Sequence, residues 1–290
     1  MIPFTCLGQA DKTFSIYAYP SRFDIKAEEY FSENGFVTEG IDIMTQGSIV
    51  YKKDPANFDP GRVRRFLEKR FPDEGSEGYL VLDWEAGPFQ DLRNFPATDT
   101  AFQVASEKLL QLLEEVRKQR PNLKLSYYGI PYRAWNKWQT ENYNPNGKYD
   151  VLLSKVDFIA PSLYIVHPDE AVGHNRNLQY LKSNLDAALV YGKKFNKPVT
   201  PFVWHRVHAG DKKYGREIIQ KEVLASYIKF ISTYTLDGYK AAGVYWWDHA
   251  SNRLVNLGGI DNHLEGKVYN AVTYDSMLVE YAKEIKRTIY

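Results

Sequence analysis

Two carboxylates lie two residues apart, Asp83 and Glu85, directly after the apolar run Tyr-Leu-Val-Leu at 79–82. That run has the composition of a buried strand. Side chains alternate along a strand, so Asp83 and Glu85 should share one face while Trp84 points to the other. Paired carboxylates suit general acid/base catalysis, because each changes or orients the proton affinity of the other. The alternative is two solvated residues in a loop.

Polar and aromatic side chains also stand where other predicted strands end. They are Tyr127 and Tyr128, Tyr164, Trp204 and His205, and Trp247 and Asp248. Functional groups at the carboxyl ends of successive parallel strands are typical of a barrel whose site lies on that face. We predict an α/β fold, a TIM-like (β/α) barrel of seven or eight strands with some distortion, formed by a single domain over 1–290. An open doubly wound sheet is the alternative, and no Gly-rich phosphate loop after the first strand supports its nucleotide-binding form.

The elements that would position these groups alternate along the chain. Strands are predicted at 14–19, 47–51, 79–82, 123–128, 156–160 with 162–164, 198–204 and 241–247. Helices are predicted at 25–34, 62–70, 101–120, 177–191, 217–235 and 274–288. The segments 86–99 and 132–143 are predicted as loops.

Composition narrows the function. The formal net charge is +1, with 37 basic and 36 acidic residues well mixed, so we expect no nucleic-acid partner. No apolar run approaches the ~20 residues that span a membrane, so we expect no membrane partner. The single cysteine, Cys6, excludes an intramolecular disulfide and a cysteine metal cluster. The 22 tyrosines and 6 tryptophans suit sugar binding, although composition alone favours a tyrosine-rich core.

Several segments resemble the animal venom- and sperm-type hyaluronidases, which are glycoside hydrolases with a distorted barrel. Residues 81–85, Val-Leu-Asp-Trp-Glu, look like the family's Ile-Asp-Trp-Glu strand end, and Asn94 in Arg-Asn-Phe looks like its following Arg-Asn-Trp. Three later segments, found in the family's order, look like its Tyr-Gly-Phe-Pro, Tyr-Pro-Ser-Ile-Tyr and Gly-Val-Ile-Trp motifs: 127–131, 160–164 and 243–247. The resemblance extends from about Phe14 to the last predicted helix.

The resemblance implies a retaining, substrate-assisted mechanism without a cofactor or metal. Glu85 would be the general acid and then the base, and Asp83 would orient the substrate's 2-acetamido group, whose carbonyl oxygen attacks the anomeric carbon. Tyr164 would line the sugar subsite and Trp247 would form its floor, with Tyr128 and Asn94 as further contacts. The partner would be a polysaccharide or oligosaccharide containing N-acetylhexosamine. We expect a monomer, and a secreted or periplasmic location from the substrate class, although no signal peptide is visible.

The sequence departs from the family at three points. Gly87-Pro88 replaces a Trp-Arg pair, and Tyr132 and Arg133 replace the residues around a family cysteine. Trp204 aligns with a tyrosine that donates to the acetamido carbonyl. We expect the Trp204 indole N–H or His205 to donate in its place.

Other constellations give rival hypotheses. Asp248 could pair with Glu85 in a conventional two-carboxylate glycosidase on another polysaccharide. A carbohydrate-binding barrel without catalysis is a third hypothesis. His205 and His208, with His249 and His263 elsewhere, give little support to a metal site, because no helical His pair with a Glu occurs.

Overall fold

The computed structural model describes residues 13–19, 25–248 and 271–290. Predictions concerning Cys6, His249 and His263 lie outside these ranges. The strands of the described residues are β1 Ser15–Ala18, β2 Ile41–Thr45, β3 Gly78–Asp83, β4 Leu123–Tyr127, β5 Phe202–Val203, β6 Thr235–Leu236, β7 Tyr239–Lys240 and β8 Gly243–Trp246. The helices are α1 Ile25–Glu33, α2 Gln46–Ile49, α3 Pro60–Arg70, α4 Pro88–Asn94, α5 Thr100–Gln119, α6 Lys137–Tyr143, α7 Asp150–Leu153, α8 Asp169–Val172, α9 His174–Phe195, α10 Lys221–Thr233 and α11 Ala271–Ile289.

Two of the long helices begin directly after an aspartate whose side chain caps the first turn. The Asp59 side chain accepts from the Arg62 N–H at the start of α3, and the Asp99 side chain does the same for Ala101 at the start of α5. Helix α5 buries an apolar stripe at helical spacing, which includes Leu109, Leu112 and Leu113. These helices therefore form as the sequence predicts, and they cover the outer side of the strands.

The central strands are parallel and form two sheets, with the orders β1-β8-β5 and β2-β3-β4. Single parallel bridges continue the pairing beyond them: Tyr17 with Val37, Tyr128 with Ala160, Ile159 with Val199 and Ser162 with Phe202. Strands β6 and β7 form a separate antiparallel pair. Parallel strands with helices between them confirm the predicted α/β class, although no sheet of the described residues closes into a barrel.

The strands separate two apolar clusters. On β3, Leu80, Leu82 and Trp84 pack in the large cluster shared with the helices, whereas Val81, with Tyr79 beside it, belongs to a smaller cluster. The smaller cluster contains residues from several segments of the chain, among them Ile43, Phe158, Phe202 and Tyr245. The predicted alternation is therefore confirmed, and the face of β3 that carries Asp83 belongs to the smaller cluster's side.

The predicted strand at 47–51 is wrong, because α2 occupies Gln46–Ile49 and the strand at this point of the chain is β2. Asp42 interrupts the apolar pattern of β2, which concealed the strand. Its carboxylate is only 4% exposed and is stabilised by the Tyr19 hydroxyl over 2.8 Å and by an ion pair with Arg70. In a sequence, a charged residue within an apolar run usually indicates a loop. Here the buried carboxylate is tolerated in a strand because both partners bind it.

The fifth and sixth predicted strands are much shorter in the structure than the sequence predicts. Residues 156–164 make only single bridges, and the segment 198–204 retains only β5 and the bridge at Val199. Pro161, Pro198 and Pro201 lack the N–H that would continue a ladder. The predicted loops contain the short helices α4 and α6. Within the described ranges, every helix is too short or too polar to cross a membrane.

Candidate active site

Strand β3 delivers the carboxylate pair, Asp83 and Glu85, to one end of the sheet. Asp83 is half-buried, and its Oδ1 atom is enclosed with no hydrogen-bond partner among the described residues. Glu85, beyond the end of the strand, is exposed. Trp84 is 1% exposed, and its indole N–H donates to the Pro55 carbonyl over 2.9 Å. The pair therefore faces away from the core that holds Trp84.

The protonation of Asp83 depends on its burial and on the neighbouring charge of Glu85. Burial raises the pKa of the Asp83 carboxyl well above its usual range, and the neighbouring Glu85 raises it further. Neighbouring like charges do not both ionise readily, so Asp83 retains its proton where an isolated Asp would have lost it. A pair of this kind can store a proton and transfer it.

Tyr128 connects the pair to the next strand. Its N–H donates to the Leu82 carbonyl over 3.0 Å, beside Asp83, and its hydroxyl donates to Ser162 Oγ over 3.1 Å. Burial raises its pKa to about 12; Arg133 opposes this rise, while Glu85 and Asp83 contribute to it. Tyr128 is therefore a neutral hydroxyl close to both carboxylates.

An aromatic wall, consisting of Tyr164, Trp204 and Trp247, continues the same strand ends. The Tyr164 and Trp247 rings stack with centroids 5.7 Å apart and an interplanar angle of 24°. Trp204 lies 5.7 Å from Tyr164 and meets Trp247 edge-on at 5.2 Å. Asp83 and Glu85 both raise the pKa of Tyr164, after the larger effects of burial and of Tyr128. The wall therefore stands near the carboxylate pair and offers the flat apolar surface that sugar rings stack on.

Asp248 and His205 belong to a buried network on the other side of the strand layer. The Trp204 indole N–H donates to Asp248 Oδ1, and the Tyr274 hydroxyl donates to Asp248 Oδ2, each over 2.9 Å. His205 Nδ1 accepts from the Trp246 indole N–H over 3.1 Å, and His205 Nε2 lies 2.7 Å from the Tyr274 hydroxyl. Since Nδ1 accepts, Nε2 carries the proton and donates it.

This network corrects two expectations about hydrogen-bond donors. Both Asp248 and His205 are 0% exposed, and both ring nitrogens of His205 are engaged. The Trp204 N–H, expected to donate to a substrate carbonyl, donates to Asp248 instead. Alternation already implied this arrangement, since Trp204 and His205 are neighbours and must point to opposite faces.

The last predicted residue, Asn94, ends α4 and is exposed. The Arg93 Nε donates to its side-chain oxygen over 3.0 Å, and none of its described contacts reaches the carboxylate pair. Helix α4 begins after Gly87, whose φ is +55°. A Cβ at Gly87 would lie 2.8 Å from the Pro55 carbonyl oxygen, so this close approach requires glycine.

Sequence reasoning missed one group, the guanidinium cluster of Arg133, Ser162 and His208. Arg133 Nη1 donates to Ser162 Oγ over 2.6 Å, and Nη2 lies 2.7 Å from His208 Nε2. These residues come from three separate segments of the chain, and no spacing in the sequence joins them. The available signal was position, since Arg133 and His208 follow predicted strands and Ser162 lies in one. The described residues hold no group of three His, Cys, Asp or Glu side chains that fits a metal ion.

Comparison with known proteins indicates the fold. No protein-family model matches the sequence, and no curated protein matches it significantly. Bee venom hyaluronidase is 16% identical, with 96% of this chain and 99% of that chain covered and a TM-score of 0.62. Its complex with a hyaluronic acid tetramer is 15% identical, with 94% and 100% covered and a TM-score of 0.64. At such identities the similarity concerns architecture alone, and the chain has the fold of bee venom hyaluronidase.

Proposed function

We propose that this chain is a retaining glycoside hydrolase that cleaves an N-acetylhexosamine-containing polysaccharide, acting within the polymer by substrate-assisted acid/base catalysis. The observation that carries the proposal is the carboxylate pair, in which a half-buried Asp83 with a raised pKa adjoins an exposed Glu85 at one strand end. The similarity of fold to bee venom hyaluronidase supports it.

The geometry of the pair favours assistance by the substrate. Residues 83 and 85 follow each other on one face of a strand, so they approach a bound sugar from the same side. A two-carboxylate retaining site instead needs groups about 5 Å apart on opposite faces of the scissile bond. Asp248, the other candidate, is buried and accepts from Trp204 and Tyr274. The acetamido group of the substrate then supplies the missing nucleophile.

The proton of the pair suggests how the two carboxylates divide the reaction. In the free enzyme Asp83, whose pKa is raised, holds the proton. When the acetamido N–H donates to Asp83, ionised Asp83 is favoured and the proton moves to Glu85. Glu85 protonates the leaving glycosidic oxygen while the acetamido carbonyl oxygen bonds to the anomeric carbon and the glycosidic bond breaks. Glu85 then takes a proton from water, whose oxygen opens the oxazoline intermediate with net retention and returns the pair to its starting state.

The remaining groups would hold the sugar. Trp247 and Tyr164 of the aromatic wall would stack on its apolar face, and Tyr128 would contact it beside Asp83. Asp248 would hold the third wall residue, Trp204, in place by accepting from its indole N–H. The parallel strands and the single bridges between them support a distorted barrel as the scaffold, and we extend this proposal to one domain over 1–290 that acts as a monomer.

Replacement of Glu85 tests the proposal. Hyaluronan, chondroitin, chitin-type and keratan-type polymers are incubated with the wild type and with Glu85→Gln, and the products are measured by mass spectrometry. We expect cleavage next to N-acetylhexosamine by the wild type, and a loss of about 10²–10⁴-fold in Glu85→Gln, the usual effect of removing a general acid/base. Glu114→Gln, an exposed change on α5, is the matched control and should retain full activity.

Three outcomes would contradict the proposal. Full activity in Glu85→Gln would exclude the acid/base assignment. Cleavage of none of these polymers, together with cleavage of an added polymer that lacks acetamido groups, would favour a conventional glycosidase. Binding without turnover across the panel would indicate a carbohydrate-binding protein.

A further inference from the structure

The loop after β4 carries a cation without an anionic partner. The Arg133 guanidinium donates to Ser162 Oγ over 2.6 Å and to His208 Nε2 over 2.7 Å, and it forms no ion pair with a carboxylate of the described residues. The side chain is only partly exposed. A guanidinium has five N–H donors, so about three remain for a ligand.

The groups around Arg133 are neutral. The pKa of His208 is lowered to about 4 by burial and by Arg133 itself, so the imidazole is uncharged at neutral pH. Burial raises the pKa of each nearby tyrosine, Tyr128, Tyr164 and Tyr180. Partly buried charges in folded proteins are normally paired. Arg133 is instead held in place by two neutral acceptors, with its charge uncompensated.

This cation belongs to the same strand ends as the carboxylate pair. Ser162 Oγ accepts from both Arg133 Nη1 and the Tyr128 hydroxyl, so one oxygen atom joins the two side chains. The pKa of Tyr128 responds to Arg133 on one side and to Glu85 and Asp83 on the other. Tyr128 therefore links the cation, through Ser162 Oγ, to the end of β3, where its N–H donates to the Leu82 carbonyl beside Asp83.

We propose that Arg133 is a substrate-recognition residue that binds an anionic group, a carboxylate or a sulfate, on a sugar adjoining the cleavage point. The assignment rests on the proposed function for the position of the sugar chain. The planar guanidinium matches the two oxygens of such a group, and Ser162 and His208 fix its orientation before the ligand arrives. Selection of a charged polymer over a neutral one would then come from a cation supplied by the loop after β4.

Binding measurements test this role without requiring turnover. Isothermal titration calorimetry in the Glu85→Gln background compares Arg133 with Arg133→Gln on three oligosaccharides of equal length. Hyaluronan oligosaccharides carry carboxylates, keratan-sulfate oligosaccharides carry sulfates without carboxylates, and chitin oligosaccharides are neutral. We expect Arg133→Gln to weaken binding of an anionic oligosaccharide about 10- to 100-fold, the usual effect of a charged hydrogen bond, and to change chitin binding less than about 3-fold. The anionic arm that responds identifies the group.

Two further variants control for folding and for net charge. Arg64→Gln removes the same charge from the exposed face of α3 and should leave every affinity unchanged. Arg133→Lys keeps the charge but loses the planar fork, and it replaces Arg133→Gln if that variant fails to fold; we expect about a 10-fold loss for the anionic ligand alone.

Equal losses for neutral and anionic oligosaccharides would overturn the inference, as would absent binding of both anionic ligands to the protein with Arg133 intact. The two proposals fail separately. Hydrolysis of chitin-type polymer that is insensitive to Arg133, without anionic binding, would leave the proposed function standing alone. Arg133-dependent binding of an anionic oligosaccharide by a wild type without hydrolytic activity would leave only this inference.

Discussion

The indole N–H of Trp204 donates to Asp248 Oδ1 over 2.9 Å, which ties the aromatic wall to a carboxylate that is completely buried. The second oxygen of Asp248 accepts from Tyr274 on α11 over the same distance. The last helix therefore helps to hold the floor of the candidate site, although it contributes no side chain to the wall.

Replacement of Asp248 should cost stability more than catalysis. Asp248→Asn places an NH2 group, which cannot accept a hydrogen bond, opposite the Tyr274 hydroxyl. We therefore expect the free energy of unfolding to fall by about 1–3 kcal/mol. Urea denaturation measures this loss, while kcat, determined well below the unfolding transition, should remain within about 10-fold of wild type. A kcat as low as that of Glu85→Gln with unchanged stability would instead make Asp248 the second catalytic carboxylate.

Replacement of Asp83 should have the opposite effect, because its raised pKa makes it a destabilising residue. In the unfolded chain Asp83 ionises above about pH 4, whereas in the folded state burial and Glu85 keep it protonated to higher pH. Stability due to this group is therefore fully present below about pH 4 and is lost as pH rises toward the folded pKa.

Asp83→Asn removes the ionisable group, and with it the loss of stability that occurs as pH rises. We expect it to raise the free energy of unfolding at pH 7 by about 0.5–2 kcal/mol, while kcat falls by at least about 100-fold. Urea denaturation at pH 7 and at pH 3.5 measures the difference, which should disappear at the lower pH. A variant that is less stable at pH 7 would show that Asp83 is ionised and paired in the folded protein.

The sequence predicted the strands whose pattern is regular and missed those whose pattern depends on partners far along the chain. Strand β3 is an uninterrupted apolar run, so its register and the opposite directions of Trp84 and Glu85 followed from alternation. Strand β2 was missed, because the charge of Asp42 appears acceptable only once Tyr19 and Arg70 are seen beside it.

The same distinction applies to the candidate site: residues in a regular strand pattern were predicted, and residues that depend on partners far along the chain were not. Asp83 ends β3 and Glu85 follows it, as the strand pattern predicted, whereas His205, expected to contact ligand, is completely buried and engaged with Trp246 and Tyr274. The position of Arg133 after a predicted strand was the only signal it gave, because its partners, Ser162 and His208, belong to other segments of the chain. Only the three-dimensional arrangement shows that this cation has no carboxylate partner within the described part of the chain.

The close approach at Gly87 gives a prediction about loop packing. In Gly87→Ala the new Cβ would meet the Pro55 carbonyl oxygen at 2.8 Å with φ at +55°, so we expect a loss of about 2–4 kcal/mol from clash and backbone strain together. Gly35→Ala is the matched control, since Gly35 has φ +80° but nothing within 4 Å of its Cβ position. It should lose about 1–2 kcal/mol.

Urea denaturation of the two glycine variants separates strain from contact. The same two proteins also test whether the Pro55 segment sets the position of Glu85, which lies two residues before Gly87. We expect kcat to fall in Gly87→Ala and to stay unchanged in Gly35→Ala. Equal losses of stability in both would mean that the approach of Pro55 to Gly87 contributes nothing.

The stacked pair of Trp247 and Tyr164 predicts how the sugar is held. Trp247→Ala removes the flat surface beside Tyr164, so kcat/KM for the cleaved polymer should fall about 10- to 100-fold, mainly through KM. Trp247→Phe keeps an aromatic face and should lose less than about 5-fold. Steady-state kinetics on oligosaccharides of defined length measure both, and circular dichroism checks that each variant is folded. If alanine and phenylalanine reduced kcat/KM equally, the ring would act by packing against Trp204 and Tyr164, and the sugar would have to stack elsewhere.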